Sequence, residues 1–152
     1  RKRELPGYYL AISATELHIG GGLFSLDREG QTLVHNHIKA NSQEFLALIR
    51  EPEFVETFGG IQGDQQRRMS RELEAIRLLI PEIANKTFYY VRGFRVADHL
   101  DNENISDLIG KHFQIIAPIN AFFRKALGGD EKEELKFGSG YFRLSGASDE
   151  SE

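Results

Sequence analysis

The sequence predicts an α+β domain: a small, mainly antiparallel sheet covered by several helices. Three observations lead there. Residues 7–26 alternate Tyr8, Leu10 and Ile12 with Tyr9, Ala11 and Ser13, the period of a half-buried strand. They then turn through Ala14-Thr15-Glu16 into a second apolar run containing Gly20-Gly21-Gly22. Residues 86–94 (KTFYYVRGF) have the aromatic and β-branched content of a strand. Between and after these stretches, apolar residues recur at helical spacing.

Taken in order, residues 1–6 (RKRELP) form a polar lead-in. Three glycines in a row weaken a strand, because each loses more backbone entropy on folding and packs no side chain. They belong where the chain bends, where another backbone presses close, or where a ligand approaches. Residues 27–39 read as a helix with Leu33, Val34, His37 and Ile38 on one face and Ser25 or Asp27 as its cap. Ser42 caps a short helix carrying Phe45, Leu46, Leu48 and Ile49. Glu51-Pro52 starts another, which buries Phe54, Val55 and Phe58 and ends at Gly59-Gly60. Residues 61–64 form a loop.

Residues 65–80 read as an amphipathic helix, since Met69, Leu73, Ile76 and Ile80 recur at helical steps, and Pro81 stops it or opens a last turn. In the strand that follows, Phe88, Tyr90 and Arg92 point one way and Tyr89 and Val91 the other. Residues 96–100 form a helical turn. Asn104 caps a long helix with Asp107 at the capping-box position and a stripe from Ile105 through His112 to Leu127. Pro118 cannot donate to the carbonyl of Gln114, which implies a kink or two abutting helices there. Gly128-Gly129 ends the pattern. Residues 1–129 thus make a single domain and 130–152 an acidic tail. In the tail, residues 135–137 and 141–144 flank Gly138-Ser139-Gly140 as a short hairpin, and residues 145–152 read as disordered.

Composition narrows the function. The net charge of −4 lies wholly in the tail, which has seven acids and three bases, whereas residues 1–129 carry sixteen of each sign. A neutral body argues against a nucleic-acid binder, whose affinity rests on neutralised phosphates. Arg67, Arg68, Arg71 and Arg77 read first as a solvated helix face and second as a phosphate-binding surface. No apolar run reaches membrane-spanning length, so no membrane partner is expected. Zero cysteines leave no disulfide framework, zinc–thiolate site or thiol nucleophile, and fit a cytoplasmic location. The first residue is Arg1, with no signal-peptide pattern behind it.

The candidate ligand-binding residues are Gly20, Gly21, Gly22, Tyr90 and Arg92. Exposed N–H groups at a turn before a helix bind anions, although the run matches neither phosphate-loop pattern. A bulge or close strand–helix packing is the plainer reading. His18-Ile19-Gly20-Gly21-Gly22 superficially resembles the oxyanion loop of lipases, without the nucleophile elbow that accompanies it. An arginine at 92 is suited to clamping a carboxylate or phosphate, and Lys86 is a further polar candidate. No metal site is expected. His35 and His37 point about 200° apart on a helix, Glu16 and His18 make only two ligands, and His112 reads as a core histidine. No cofactor pattern is present.

The chain resembles a family of bacterial and fungal proteins, domain of unknown function 2461. The residues that carry the resemblance are Pro6-Gly7-Tyr8-Tyr9-Leu10-Ala11-Ile12 with Gly20-Gly21-Gly22-Leu23-Phe24, the spaced Phe45, Phe54 and Phe58-Gly59, then Asn85-Lys86-Thr87-Phe88-Tyr89-Tyr90, and residues 118–127 (PINAFFRKAL). Members usually carry a further N-terminal portion ahead of the Gly-Tyr-Tyr strand. The resemblance therefore implies that this chain corresponds to the later part of the domain. It also implies apolar surface near Tyr8, Tyr9 and Leu10 that is exposed or covered by a second copy. Many members have a proline-rich basic segment where this chain has residues 65–80. The resemblance brings no activity with it. Non-catalytic ligand or partner binding is favoured, because no catalytic motif is complete. An enzyme acting on a small anionic or phosphorylated compound through Gly20–Gly22 and Arg92, and a structural or interaction module, are the alternatives. A small anionic ligand and a second copy of the chain are the partners these readings admit.

Overall fold

A computed structural model describes residues 4–98, 104–129 and 134–137. Strand β1 (Gly7–Ile12) pairs antiparallel with β2 (Glu16–Leu23), so that Tyr8 faces Gly21 and Tyr9 faces Gly20. The turn between them is held by Ser13, whose Oγ accepts from the N–H groups of Thr15 (3.3 Å) and Glu16 (3.0 Å). Strand β3 (Phe88–Arg95) pairs antiparallel with the other edge of β2, and β4 (Glu134–Phe137) lies parallel to β1. The order is β3-β2-β1-β4. The fold is α+β, as the alternation predicts. Residues 135–137 pair with β1. The second arm of the hairpin expected there, residues 141–144, and residues 145–152 lie outside the described residues.

The described residues include five α-helices, of which Ile105–Ala126 packs on β2 and Pro52–Phe58 on β3. Helix α1 (Arg28–Ala40) is capped by Asp27, not Ser25: its Oδ1 accepts from the Gly30 N–H at 2.7 Å. Helix α2 (Ser42–Ile49) has Asn41 at its cap position, so Ser42 is already helical. Helix α3 (Pro52–Phe58) starts on proline and ends at Gly59, whose φ of 80° suits a residue without Cβ. Helix α4 (Arg71–Arg77) is shorter than the periodicity implies. Ser70 caps it through Leu73, and the preceding residues bond elsewhere: Gln66 donates to the Ala84 carbonyl at 2.7 Å. A 3-10 turn (Pro81–Ala84) follows.

Helix α5 (Ile105–Ala126) runs as one helix through Pro118, so of the kink or two abutting helices expected there the second is corrected. An interior proline costs about 3 kcal/mol. Ile116, Ile119, Phe122 and Phe123 are all buried, and each contributes roughly 1.5–3 kcal/mol, which outweighs that cost. The helix packs across the sheet face formed by Tyr8, Leu10, Ile19 and Tyr90. Tyr8 and Leu10 are buried within the chain, Tyr8 against Phe113 with ring centroids 4.6 Å apart. The apolar exposure expected there is therefore corrected for these two residues, and Tyr9 is half-buried.

Candidate functional site

The glycine run occupies the middle of the sheet and is buried. A Cβ on Gly20 would overlap the Tyr90 carbonyl and Val91. One on Gly21 would lie 2.7 Å from the Gly7 carbonyl oxygen and 2.9 Å from Ile116 on α5. Gly22 has φ 109°, and its Cβ would overlap the Phe88 carbonyl. Tyr90 faces Gly21 across the ladder and is fully buried. Its hydroxyl donates to Asn120 Oδ1 at 2.6 Å, and Asn120 Nδ2 donates to the Gly7 carbonyl at 2.9 Å. Burial holds the Tyr90 hydroxyl well above its ordinary pKa. The structure thus brings Gly21, Tyr90 and Asn120 into one packed seam. Arg92 lies two pairs further along, opposite Ile19, exposed, with its guanidinium 4.6 Å from the Phe94 ring centre.

A cavity of about 720 Å³ lies elsewhere, between α1 and residues 66–70. Helix α1 turns Val34 and Ile38 into the core, which sets Arg28, Gln31, Thr32 and His35 along one flank at the spacing i, i+3, i+4, i+7. The opposite wall comes from Gln66, Arg68, Met69, Ser70 and Leu73, with Lys86 beside them. That wall is held firmly. Arg77 donates to the Gln66 carbonyl at 3.0 Å, the Met69 N–H donates to Glu74 at 3.1 Å, and Gln66 Nε2 donates to Gln31 Oε1 at 3.0 Å across the cleft.

Three cations line this cleft and no carboxylate does. Arg28, Arg68 and Lys86 have no ion-pair partner among the described residues, where Lys39–Glu72 and Arg77–Glu74 are paired close by. His35 is 9% exposed, and its Nε2 is buried with no hydrogen-bond partner among the described residues. Burial lowers its pKa below the ordinary 6.5, against a raising hydrogen bond to the Ile83 backbone, and Lys39 adds to the lowering. Geometry and charge together suit an anion. A second groove, about 360 Å³, runs between α3 and α5 beside Phe54, Ile115 and Pro118, and Glu51 and Glu53 on its rim oppose anions. Among the described residues, no three His, Asp or Glu side chains gather as a metal site, and no helix is long and apolar enough to cross a membrane.

Of the residues that sequence reasoning favoured, only Lys86 and, from the arginine cluster, Arg68 reach this cleft. Arg28, Gln31 and His35 escape it. Their signal is a polar stripe on the flank of an otherwise apolar-faced helix, which the core-seeking pattern at Val34 and Ile38 overshadows.

The family model described as "Conserved hypothetical protein (DUF2461)" matches residues 1–122, and the chain belongs to that family. No curated protein and no solved structure matches it.

Proposed function

We propose that this domain binds a small anionic ligand, and that the cleft between α1 and residues 66–70 holds it. The observation that carries the reading is the gathering of Arg28, Arg68 and Lys86 around one cavity lined by no acid. Like charges held together without partners repel one another, and an anion relieves that repulsion. Two guanidinium groups offer bidentate grip and the ammonium a point charge. His35 adds a buried polar atom that a ligand can satisfy. The enzyme reading through Gly20–Gly22 and Arg92 has less support, because the glycine backbone lies between two strands and α5, leaving little space for a phosphate group.

A thermal-shift titration with inorganic phosphate and phosphate monoesters tests the reading. A ligand that binds only the folded chain raises its melting temperature. The rise should shrink as salt screens the cations, and it should vanish in the triple variant Arg28→Gln, Arg68→Gln, Lys86→Gln. Equal stabilisation of parent and variant, or none of the parent by any of these compounds, overturns it.

A further inference from the structure

Resting on that reading, we infer that the ligand is a phosphate monoester of a sugar or polyol, neither bare phosphate nor a nucleotide. Size is the first reason. At about 720 Å³ the cleft falls within the rough 300–1,000 Å³ range of small-molecule sites, far more than a bare phosphate fills. The second reason is the neutral part of the lining. Gln31, Thr32, Gln66 and Ser70 supply amides and hydroxyls, which both donate and accept. Sugar hydroxyls do the same, so they can meet the Thr32 hydroxyl, whose proton goes to the Arg28 carbonyl, as donors, and the Ser70 hydroxyl, which accepts from Leu73, as acceptors. The Gln31–Gln66 bond uses one donor and one acceptor, leaving the remaining amide atoms for the ligand.

The third reason is His35. His35 lines the cleft, burial favours its neutral form, and its Nε2 has no hydrogen-bond partner among the described residues, so that atom can accept one. The dianion of a phosphate monoester carries no proton, so the donor that His35 meets comes from a hydroxyl of the attached polyol. The fourth reason is a class of residue missing from the lining. No phenylalanine, tyrosine or tryptophan is among the cleft residues, the one ring is that of the buried His35, and Met69 and Leu73 are its apolar members. Nucleobases are characteristically held by stacking on aromatic rings or arginine planes. Here the arginines are needed for the phosphate.

Titration calorimetry on the full chain tests this with inorganic phosphate, glycerol 3-phosphate, ribose 5-phosphate, glucose 6-phosphate, glucose and adenosine monophosphate. The expected result is that at least one of the three polyol phosphates binds about tenfold or more tightly than phosphate and than the nucleotide, with glucose alone not binding. Gln31→Ala, at a half-buried position, should shrink that advantage while leaving phosphate affinity in place; its melting temperature checks the fold. If phosphate binds as well as every polyol phosphate, or the nucleotide binds best, the sugar inference falls and the anion reading stands. If no phosphorylated compound binds, both fall. An unchanged advantage in both Gln31→Ala and His35→Gln overturns the assignment of these residues to the hydroxyls.

Discussion

Two regions of this domain gather the side chains that invite a ligand, and they differ in what the space between atoms allows. In the seam of Gly20–Gly22, Tyr90 and Asn120, each missing glycine methyl would meet a neighbour, and Asn120 ties a tyrosine hydroxyl to the backbone of the adjacent strand. In the cleft between α1 and residues 66–70, the cations stand around open volume with no carboxylate beside them. The same polar chemistry therefore does opposite things. Satisfied and enclosed, it fixes how α5 sits on the sheet; unsatisfied and open, it offers charge to a partner. The comparison predicts that substitutions in the seam cost stability, whereas those in the cleft cost binding.

The largest expected effect is at Gly22. Gly22→Ala forces a side chain onto a φ of 109° and against the Phe88 carbonyl. It should destabilise the domain by about 3 kcal/mol or more in denaturant unfolding. A loss below about 0.5 kcal/mol would mean that the seam is looser than its contacts indicate. Next comes Asn120→Leu, which strands the Tyr90 hydroxyl and the Gly7 carbonyl together. Losing partners for two buried groups should cost about 2–4 kcal/mol, and Tyr90→Phe, which strands one atom, less. If the tyrosine variant costs more than the asparagine one, Asn120 is not the hub of the seam.

The third effect depends on pH. Burial lowers the pKa of His35 and of His112, whose Nδ1 bonds the Leu108 carbonyl at 2.8 Å. A base with a lowered folded pKa stays neutral in the fold while the unfolded chain takes up a proton near pH 6.5. The stability present above that pH should therefore fall as the pH drops from 7 toward 5. Equilibrium unfolding at stepped pH reads it, and a slope of the opposite sign in this window would show that the histidines gain a partner on folding. His112→Gln should flatten the slope.

The difference between the regions also explains what the sequence discloses. Strand alternation at Tyr8–Ile12 and at Phe88–Arg92, the proline and glycine that bound α3, and the apolar stripe of α5 are local patterns, and the sheet and most helices follow from them. The helix read over residues 65–80 is too long because Gln66 finds Ala84 across the fold, a competition that no window along the chain contains. The glycine run draws attention because its residues are contiguous. The cleft escapes because Arg28, Arg68 and Lys86 lie far apart in sequence, and only the packing of α1 against residues 66–70 makes them neighbours.

The smallest stability effect, and the most direct test, lies in the cleft. Arg68→Gln with Lys86→Gln changes two exposed side chains and should leave the melting temperature without ligand within about a degree or two of the parent. Gly21→Ala, by contrast, should lower it clearly. The decisive measurement is the rise in melting temperature on adding glucose 6-phosphate or, should it be inert, whichever phosphate monoester stabilises the parent most. If the cleft is the binding site, the rise persists in Gly21→Ala and disappears in the double variant. A rise that disappears in Gly21→Ala and persists in the double variant would contradict the account and return the site to the glycines.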